Sequence, residues 1–409
     1  MKRIFALFLF AFLIAYADTF PVTNAALVSG QSKSNWASVT LTGAVSAIRT
    51  GNAGAYLKFN FTGTSVSVVV DVSSLSTAGF DAADYPRVAW SIDGGSYSSL
   101  TQLTSSSGTI SCSTGLSNTT HSIEFRLISL GGPVSGTYQW IWDGGMWLTI
   151  TNVIVDSGKT ISAPTLKSGP PILFLGDSIT CYGVDATVGG QSTTSWTYYL
   201  AQFFDSEESR NGISGAAWAA YANDFPPFSN ALGSPPDSPH GSWEYIYNGQ
   251  ARTFSSVFQL VFISLGVRDT DPSYATVTRA GVKGQLTGIR AALTASGSSA
   301  DMYIMVPFGL QCEGPITLGF ADYQIATPDT KCHLIDLGAP GAAVVAAHHS
   351  GDPSGIHPDA VGSAILAGMV EPLIGAVSVS TANITTLHVG WVEPFKGWAR
   401  KEDYERMAA

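Results

Sequence analysis

Ser178 stands at the end of the run Ile172-Leu173-Phe174-Leu175-Gly176-Asp177-Ser178-Ile179-Thr180. An apolar strand that closes on Gly-Asp-Ser and leads into a helix sets the serine at the carboxyl edge of a sheet. There the N–H groups that begin the helix favour negative charge. Those surroundings suit a nucleophile and the oxyanion that follows its attack. They equally suit a plain helix cap, a role open to any Asp-Ser pair. The balance tips on a second segment, Ile356-His357-Pro358-Asp359-Ala360-Val361-Gly362, which lies between a strand pattern and a helical one. His357 offers a proton acceptor for the same sheet edge, so a serine and a histidine converge. Among the seven histidines, His348 and His349 form a competing pair that reads as a solvated loop.

To bring these two residues together the chain needs a parallel sheet with helices on both sides. From 171 onward it has that texture: apolar runs at 172–175, 260–265, 302–306 and 333–337 alternate with helical patterns near 195–204, 273–295 and 360–374. Between about 25 and 156 the period is two instead. Leu57, Phe59 and Phe61 alternate with Tyr56, Lys58 and Asn60, and Ile123, Phe125 and Leu127 with Ser122, Glu124 and Arg126. Further strands are expected at 65–72, 87–92 and 147–155, and many short antiparallel strands imply a β-sandwich or jelly roll. The Pro- and Gly-rich stretch 157–171 separates the two textures. The expected organisation is an all-β jelly-roll domain over 18–160 and an α/β domain, a parallel sheet between helices, over 171–377. A C-terminal extension, 378–409, combines a strand-like TLHVGWV with a charged helix-like end and has no assigned role.

Only 12% of the 409 residues are charged, about half the usual ~25%, while 43 are Gly and 20 are Pro. That composition fits a β-rich exported protein and excludes a charge-studded helical bundle. The net charge of −10 and the lack of a basic run after Arg3 argue against nucleic acid as a partner. Lys2 and Arg3 precede the 14-residue apolar run Ile4 to Ala17, whose end Ala15-Tyr16-Ala17 fits signal-peptidase cleavage before Asp18. The run is shorter than the ~20 residues of a membrane-spanning helix. Glu371 and Pro372 interrupt the apolar stretch 361–377, so no membrane span is expected after cleavage. A secreted, extracellular or periplasmic location follows. Cys112, Cys181, Cys312 and Cys332 form no CxxC pair and no zinc pattern, and the chemistry calls for no metal or organic cofactor. Cys312 and Cys332 could close a local disulfide loop and Cys181 could be a buried thiol, and sequence leaves the pairing open. Ten tryptophans allow either stacking on sugar or core packing, with Trp140, Trp142 and Trp147 read as core of the β half.

With these residues in place, the chain resembles the SGNH or GDSL hydrolases over about residues 171–377, its GDSIT matching that family's first block with Ser178 as nucleophile. The resemblance implies a three-layer SGNH-type sheet. The second block is similar to Asn211-Gly212-Ile213-Ser214-Gly215, which implies that the N–H groups of Gly215 and Ser178 form an oxyanion hole. The third block, Gly-x-Asn-Asp in the family, is here Gly266-Val267-Arg268-Asp269, so Arg268 takes the place of an asparagine donor. The family's Asp three residues before the histidine is Ser354 here. Asp352, two residues further back, is one candidate to orient His357, and Ser354 or a backbone carbonyl are the others. Family-two carbohydrate esterases resemble the chain in layout, with a jelly roll before the hydrolase domain and Ser-His dyads among them. Segments 61–68, 90–95 and 120–125 are similar to strands of that jelly roll, and Trp218 and Trp243 fall where the family builds its substrate rim. The expected activity is a secreted carboxylic ester hydrolase that removes acetyl or other short acyl groups from carbohydrate through an acyl-enzyme on Ser178. The alternatives are an acyltransferase or lipid esterase on the same fold, or a non-catalytic carbohydrate binder with a decayed site.

Overall fold

Alternating side chains in the first half of the chain make strands with one apolar face, and two such faces bury each other. The computed structural model describes residues 17–77, 85–104, 108–130, 147–185, 189–213, 215–219, 237–247, 249–349, 355–377 and 387–388. One antiparallel sheet runs Ala37–Leu41, Val45–Thr50, Leu148–Val155, Val66–Asp71, Thr109–Ser113, with Asp18–Pro21 also paired to Leu148–Val155. The other runs Ile161–Ser162, Tyr56–Gly63, Thr119–Ser129, Arg87–Ile92, Thr101–Gln102. Phe59, Phe61, Phe125 and Leu127 of the second sheet share one core with Val68, Val70, Ile150 and Val153 of the first.

The second half builds one sheet in which every pairing is parallel: Glu208–Gly212, Ile172–Gly176, Leu260–Ser264, Asp301–Met305, Cys332–Asp336, Leu387–His388. On one face Leu173, Ile263 and Met302 pack under the helices Ala275–Ala295 and Glu313–Ala326. On the other, Phe174, Phe262 and Met305 meet Trp196 and Leu200 of Trp196–Phe203, and Leu366 and Val370 of Ala360–Val377. The strands and helices expected there occur within a few residues of their expected limits. The helices Glu313–Ala326 and Gly338–Ala347 and the strand Glu208–Gly212 are additional. No helix among the described residues is long and apolar enough to cross a membrane.

Some expectations are corrected. The four cysteines are free thiols. Cys312 precedes the helix Glu313–Ala326 and Cys332 opens the next parallel strand, so the two lie toward opposite edges of the sheet, beyond the reach of a disulfide. Trp218 and Trp243 are buried core residues and not a rim, because the indole of Trp218 donates to the Leu265 carbonyl (2.9 Å) inside the helix-covered core. The leader run as far as Tyr16, Trp140, Trp142, Ser214, Asp352, Ser354 and the extension apart from Leu387–His388 lie outside the described residues.

The polar face of Tyr56–Gly63 and Thr119–Ser129 is not solvated along its length. Tyr56 and Arg126 are buried, because the second half of the chain covers them. Lys58 bonds Glu207 (2.8 Å) and Glu124 (3.3 Å), and Arg126 bonds Glu124 (2.7 Å) and Glu208 (2.6 Å). Burial opposes the charge on Glu124, yet Arg126 and Lys58 outweigh it and hold the carboxyl down at about 2. Asn35 Nδ2 donates to the Arg210 carbonyl (2.9 Å), Asn52 Nδ2 to the Ile246 carbonyl (3.3 Å) and Ser192 Oγ to the Leu127 carbonyl (3.2 Å). An interface of buried ion pairs couples the stability of its two sides. Arg126→Met, which strips one partner from Glu124 and Glu208, is expected to cost about 3 kcal/mol. Unfolding in urea, followed by far-UV and near-UV dichroism, should give one shared transition at a lower midpoint. Separate transitions for the two signals in the wild type would contradict this coupling.

Candidate active site

The parallel sheet has the order 2-1-3-4-5-6, so the chain leaves Ile172–Gly176 to one side and later returns to the other. Such a switch point opens a crevice at the carboxyl end of the first strand, and Ser178 lies there. Glycine is required at the exit. A β-carbon on Gly176 would lie 2.1 Å from Thr180 Oγ1 and 2.3 Å from the Ser264 carbonyl oxygen. One on Gly212 would lie 2.6 Å from the Cys181 backbone nitrogen. The backbone then turns into the short helix Ser178–Cys181, with Asp177 Oδ1 accepting from the Ile179 N–H at 3.0 Å. Asp177, and not Ser178, caps this helix, and Ser178 is itself buried. The carbonyls of the helix are met in turn by the Tyr182 N–H (to Ser178, 3.1 Å), Thr197 Oγ1 (to Thr180, 3.0 Å) and Arg210 Nη1 (to Cys181, 3.2 Å).

Ser178 Oγ and His357 Nε2 are 2.7 Å apart, hydrogen-bond distance for direct proton transfer. The histidine precedes the helix Ala360–Val377. Its loop is tied down by the Asp359 N–H to the His348 carbonyl (2.9 Å) and by the Gly362 N–H to Asp359 Oδ1 (2.8 Å). The Tyr182 ring stacks on the imidazole, with centroids 5.7 Å apart and planes 22° from parallel. Gly190 lies against that tyrosine, where a β-carbon would come 2.4 Å from the ring. Of the competing histidines, His348 lends its carbonyl to the His357 loop, and His349 Nδ1 meets the Val345 carbonyl (3.0 Å) at the end of the helix Gly338–Ala347.

Gly215 has a φ of +82°, a conformation that glycine adopts without strain, one turn beyond the bond from the Ile213 N–H to the Gly176 carbonyl (2.9 Å). The segment after it is held by Asp269, which accepts from the N–H groups of Trp218 (2.9 Å) and Ala219 (2.8 Å). Arg268, its neighbour, is exposed, whereas Asp269 is buried. Asp269, Tyr182 and Arg210 are the members of this neighbourhood that sequence reasoning passed over. Asp269 had a signal, the closing Asp of the third block. Tyr182 and Arg210 had none. Among the described residues no group of three or more His, Cys, Asp or Glu could hold a metal ion.

Asp177 is buried, and that burial pushes its carboxyl up to about 7. The Ile179 N–H and the charge of His357 pull the other way, and Asp269 adds to the rise.

No known sequence family and no curated protein matches the chain. Solved structures do. A family-two carbohydrate esterase from Cellvibrio japonicus superposes with a TM-score of 0.62 at 15% identity, covering 89% of this chain and 98% of that one. A family-two carbohydrate esterase from Clostridium thermocellum in complex with cellohexaose gives 0.59 at 17% identity, covering 81% and 94%. A salicylyl-acyltransferase from a tetracycline biosynthetic pathway gives 0.55 at 13% identity, covering 89% and 98%. At these identities the likeness is one of fold. The chain resembles family-two carbohydrate esterases along nearly their whole length.

Between about pH 4 and 7 the folded chain keeps a proton on Asp177 that the unfolded chain has released. Stability therefore falls as pH rises through that window, by up to about 4 kcal/mol. Asp177→Asn keeps the cap acceptor and has no proton to lose. Its unfolding free energy in urea should decline less steeply than that of the wild type from pH 4 to 7, whereas parallel curves would show that Asp177 titrates normally.

Proposed function

We propose that the chain is a serine esterase that removes acetyl or other short acyl groups from carbohydrate. The observation that carries this reading is the 2.7 Å contact between Ser178 Oγ and His357 Nε2 at the switch point of the parallel sheet. In this reading residues 1–17 are a removed signal peptide and the protein is secreted. Residues 18–160 form a jelly-roll domain, and 171–377 a three-layer SGNH-type hydrolase domain.

His357 takes the Ser178 proton as Oγ attacks the ester carbonyl. The tetrahedral oxyanion is met by the N–H groups of Ser178 and Gly215, with Arg268 as third donor. Collapse expels the sugar hydroxyl, protonated by His357, and leaves an acyl group on Ser178. Water, deprotonated by the same histidine, then releases the acid. Asp352 is the candidate to orient the other imidazole nitrogen. The reading leans to a dyad without it, since placing Asp352 there requires two extra residues to loop out before His357, and Ser354 or a backbone carbonyl is then the orienting group.

A second reading, transfer of the acyl group to another acceptor, is favoured by the acyltransferase among the structures of this fold. Transfer differs from hydrolysis only in which hydroxyl attacks the acyl-enzyme, so both readings share the first half-reaction.

A fluorophosphonate probe should label the wild type at Ser178 and leave Ser178→Ala unlabelled, with p-nitrophenyl acetate hydrolysis lost in that variant and in His357→Ala. An unlabelled wild type would turn the reading toward a carbohydrate binder, and product analysis on acetylated glycans with and without added alcohols separates hydrolysis from transfer. For Arg268→Ala a fall in kcat by ~10²–10³ is expected of an oxyanion donor. A change confined to KM would make it a substrate clamp.

A further inference from the structure

Arg210 lies on a strand whose sequence, Glu208-Ser209-Arg210-Asn211-Gly212, is polar and yet wholly buried. Its guanidinium is spread over four partners. Nη1 donates to the carbonyls of Cys181 (3.2 Å) and Ser192 (2.6 Å) and to Ser195 Oγ (2.7 Å), and Nε donates to Glu208 Oε2 (2.8 Å). Cys181 is the last residue of the helix that begins at Ser178, and Ser195 caps the helix Trp196–Phe203. Through its other oxygen, Glu208 binds Arg126 of the antiparallel half (2.6 Å). The same half reaches the site a second way. Gly54, at a φ of +93°, lies against the Arg210 guanidinium, where a β-carbon would sit 3.1 Å from its central carbon, and Ala53 packs on Cys181 and Tyr182.

The geometry points to Arg210 as the positioning residue of the nucleophile helix, with Arg126 and Glu208 transmitting that hold from the antiparallel half. The inference rests on the esterase reading of Ser178. A helix of four residues has little cohesion of its own, and its terminal carbonyls need outside donors. A planar guanidinium meets several acceptors at once in fixed directions, which an ammonium on a flexible stem does not. Arg210 thereby fixes the C-terminal end of the helix whose first residue must stay within hydrogen-bond reach of His357.

Arg210→Lys keeps the charge beside Glu208 and loses the fan of donors. Fluorophosphonate labelling of Ser178, normalised to sites titrated at completion, is expected to slow by about 10- to 100-fold, with kcat for p-nitrophenyl acetate falling in parallel and KM little changed. A purely structural role would instead lower the number of titratable sites and leave the rate per site at the wild-type value, which overturns the inference. Should Arg210→Lys fail to fold, Arg126→Lys carries the same readout from the far end of the chain of charges. A per-site rate reduced in either folded variant supports the inference, and wild-type per-site rates overturn it. A wild type that the probe does not label defeats the esterase reading itself, an outcome visible before any variant is made.

Discussion

Arg210 bears a full charge without contact with water, and a guanidinium so placed persists only when an opposite charge balances it. Much of the architecture follows from meeting that demand. Glu208 supplies the balancing charge two residues away on the same strand, and because it is buried too, it calls for Arg126 from the other half of the chain. Arg126 in turn holds Glu124, which shares Lys58 with Glu207. Three cations and three anions alternate across the boundary. A chain with few charged residues has placed a balanced set of them where its two halves meet. The desolvation cost of such a set exceeds that of an apolar contact of equal area, and a member left unpaired is costly, so the set favours a docking of the halves that pairs all of its members.

The same docking sets the scale of the candidate site. Strand Ile172–Gly176 and strand Glu208–Gly212 end on glycines in register, and both glycines are crowded by the helix Ser178–Cys181. The helix therefore sits closer to the sheet than any side chain would allow. It is clamped from below by this close approach, at its start by Asp177 and at its end by Arg210. His357 arrives from the far end of the sequence, and the Tyr182 ring, pressed between Gly190 and the imidazole, limits how far it can swing.

What was legible in the sequence is what depends on apolar periodicity or on a short motif. The strands around Phe59, Phe125 and Phe262 announce themselves because their burial is hydrophobic, and Ser178 and His357 because their flanking residues form a strand-turn-helix and a turn-helix. The strand Glu208–Gly212 was illegible for the opposite reason. Its five buried residues are Glu, Ser, Arg, Asn and Gly, and nothing in that run says that a cation 82 residues before Glu208 will pair with it or that a carbonyl 29 residues before Arg210 will accept from it. Tyr56 and Arg126 fall on the polar side of their strands by the period-two rule, which reports that a face is polar and is silent on what covers it. Trp218 and Trp243 were placed at a rim by analogy, while their packing against Val282 and Leu286 belongs to the core.

These two kinds of illegibility have a common physical root, and it bears on how the antiparallel half should be regarded. Hydrophobic burial is non-directional and can be read from composition along a strand, whereas polar burial exists only as a set of partners distant in sequence. A half that contributed merely apolar contact could be exchanged for another of similar shape. This one contributes Arg126 to a carboxylate that braces Arg210, and Ala53 to the packing of Cys181 and Tyr182. Arg210 in turn holds a carbonyl of the helix that starts at Ser178. The candidate active site is therefore assembled from both halves, although every residue with a proposed chemical step belongs to one.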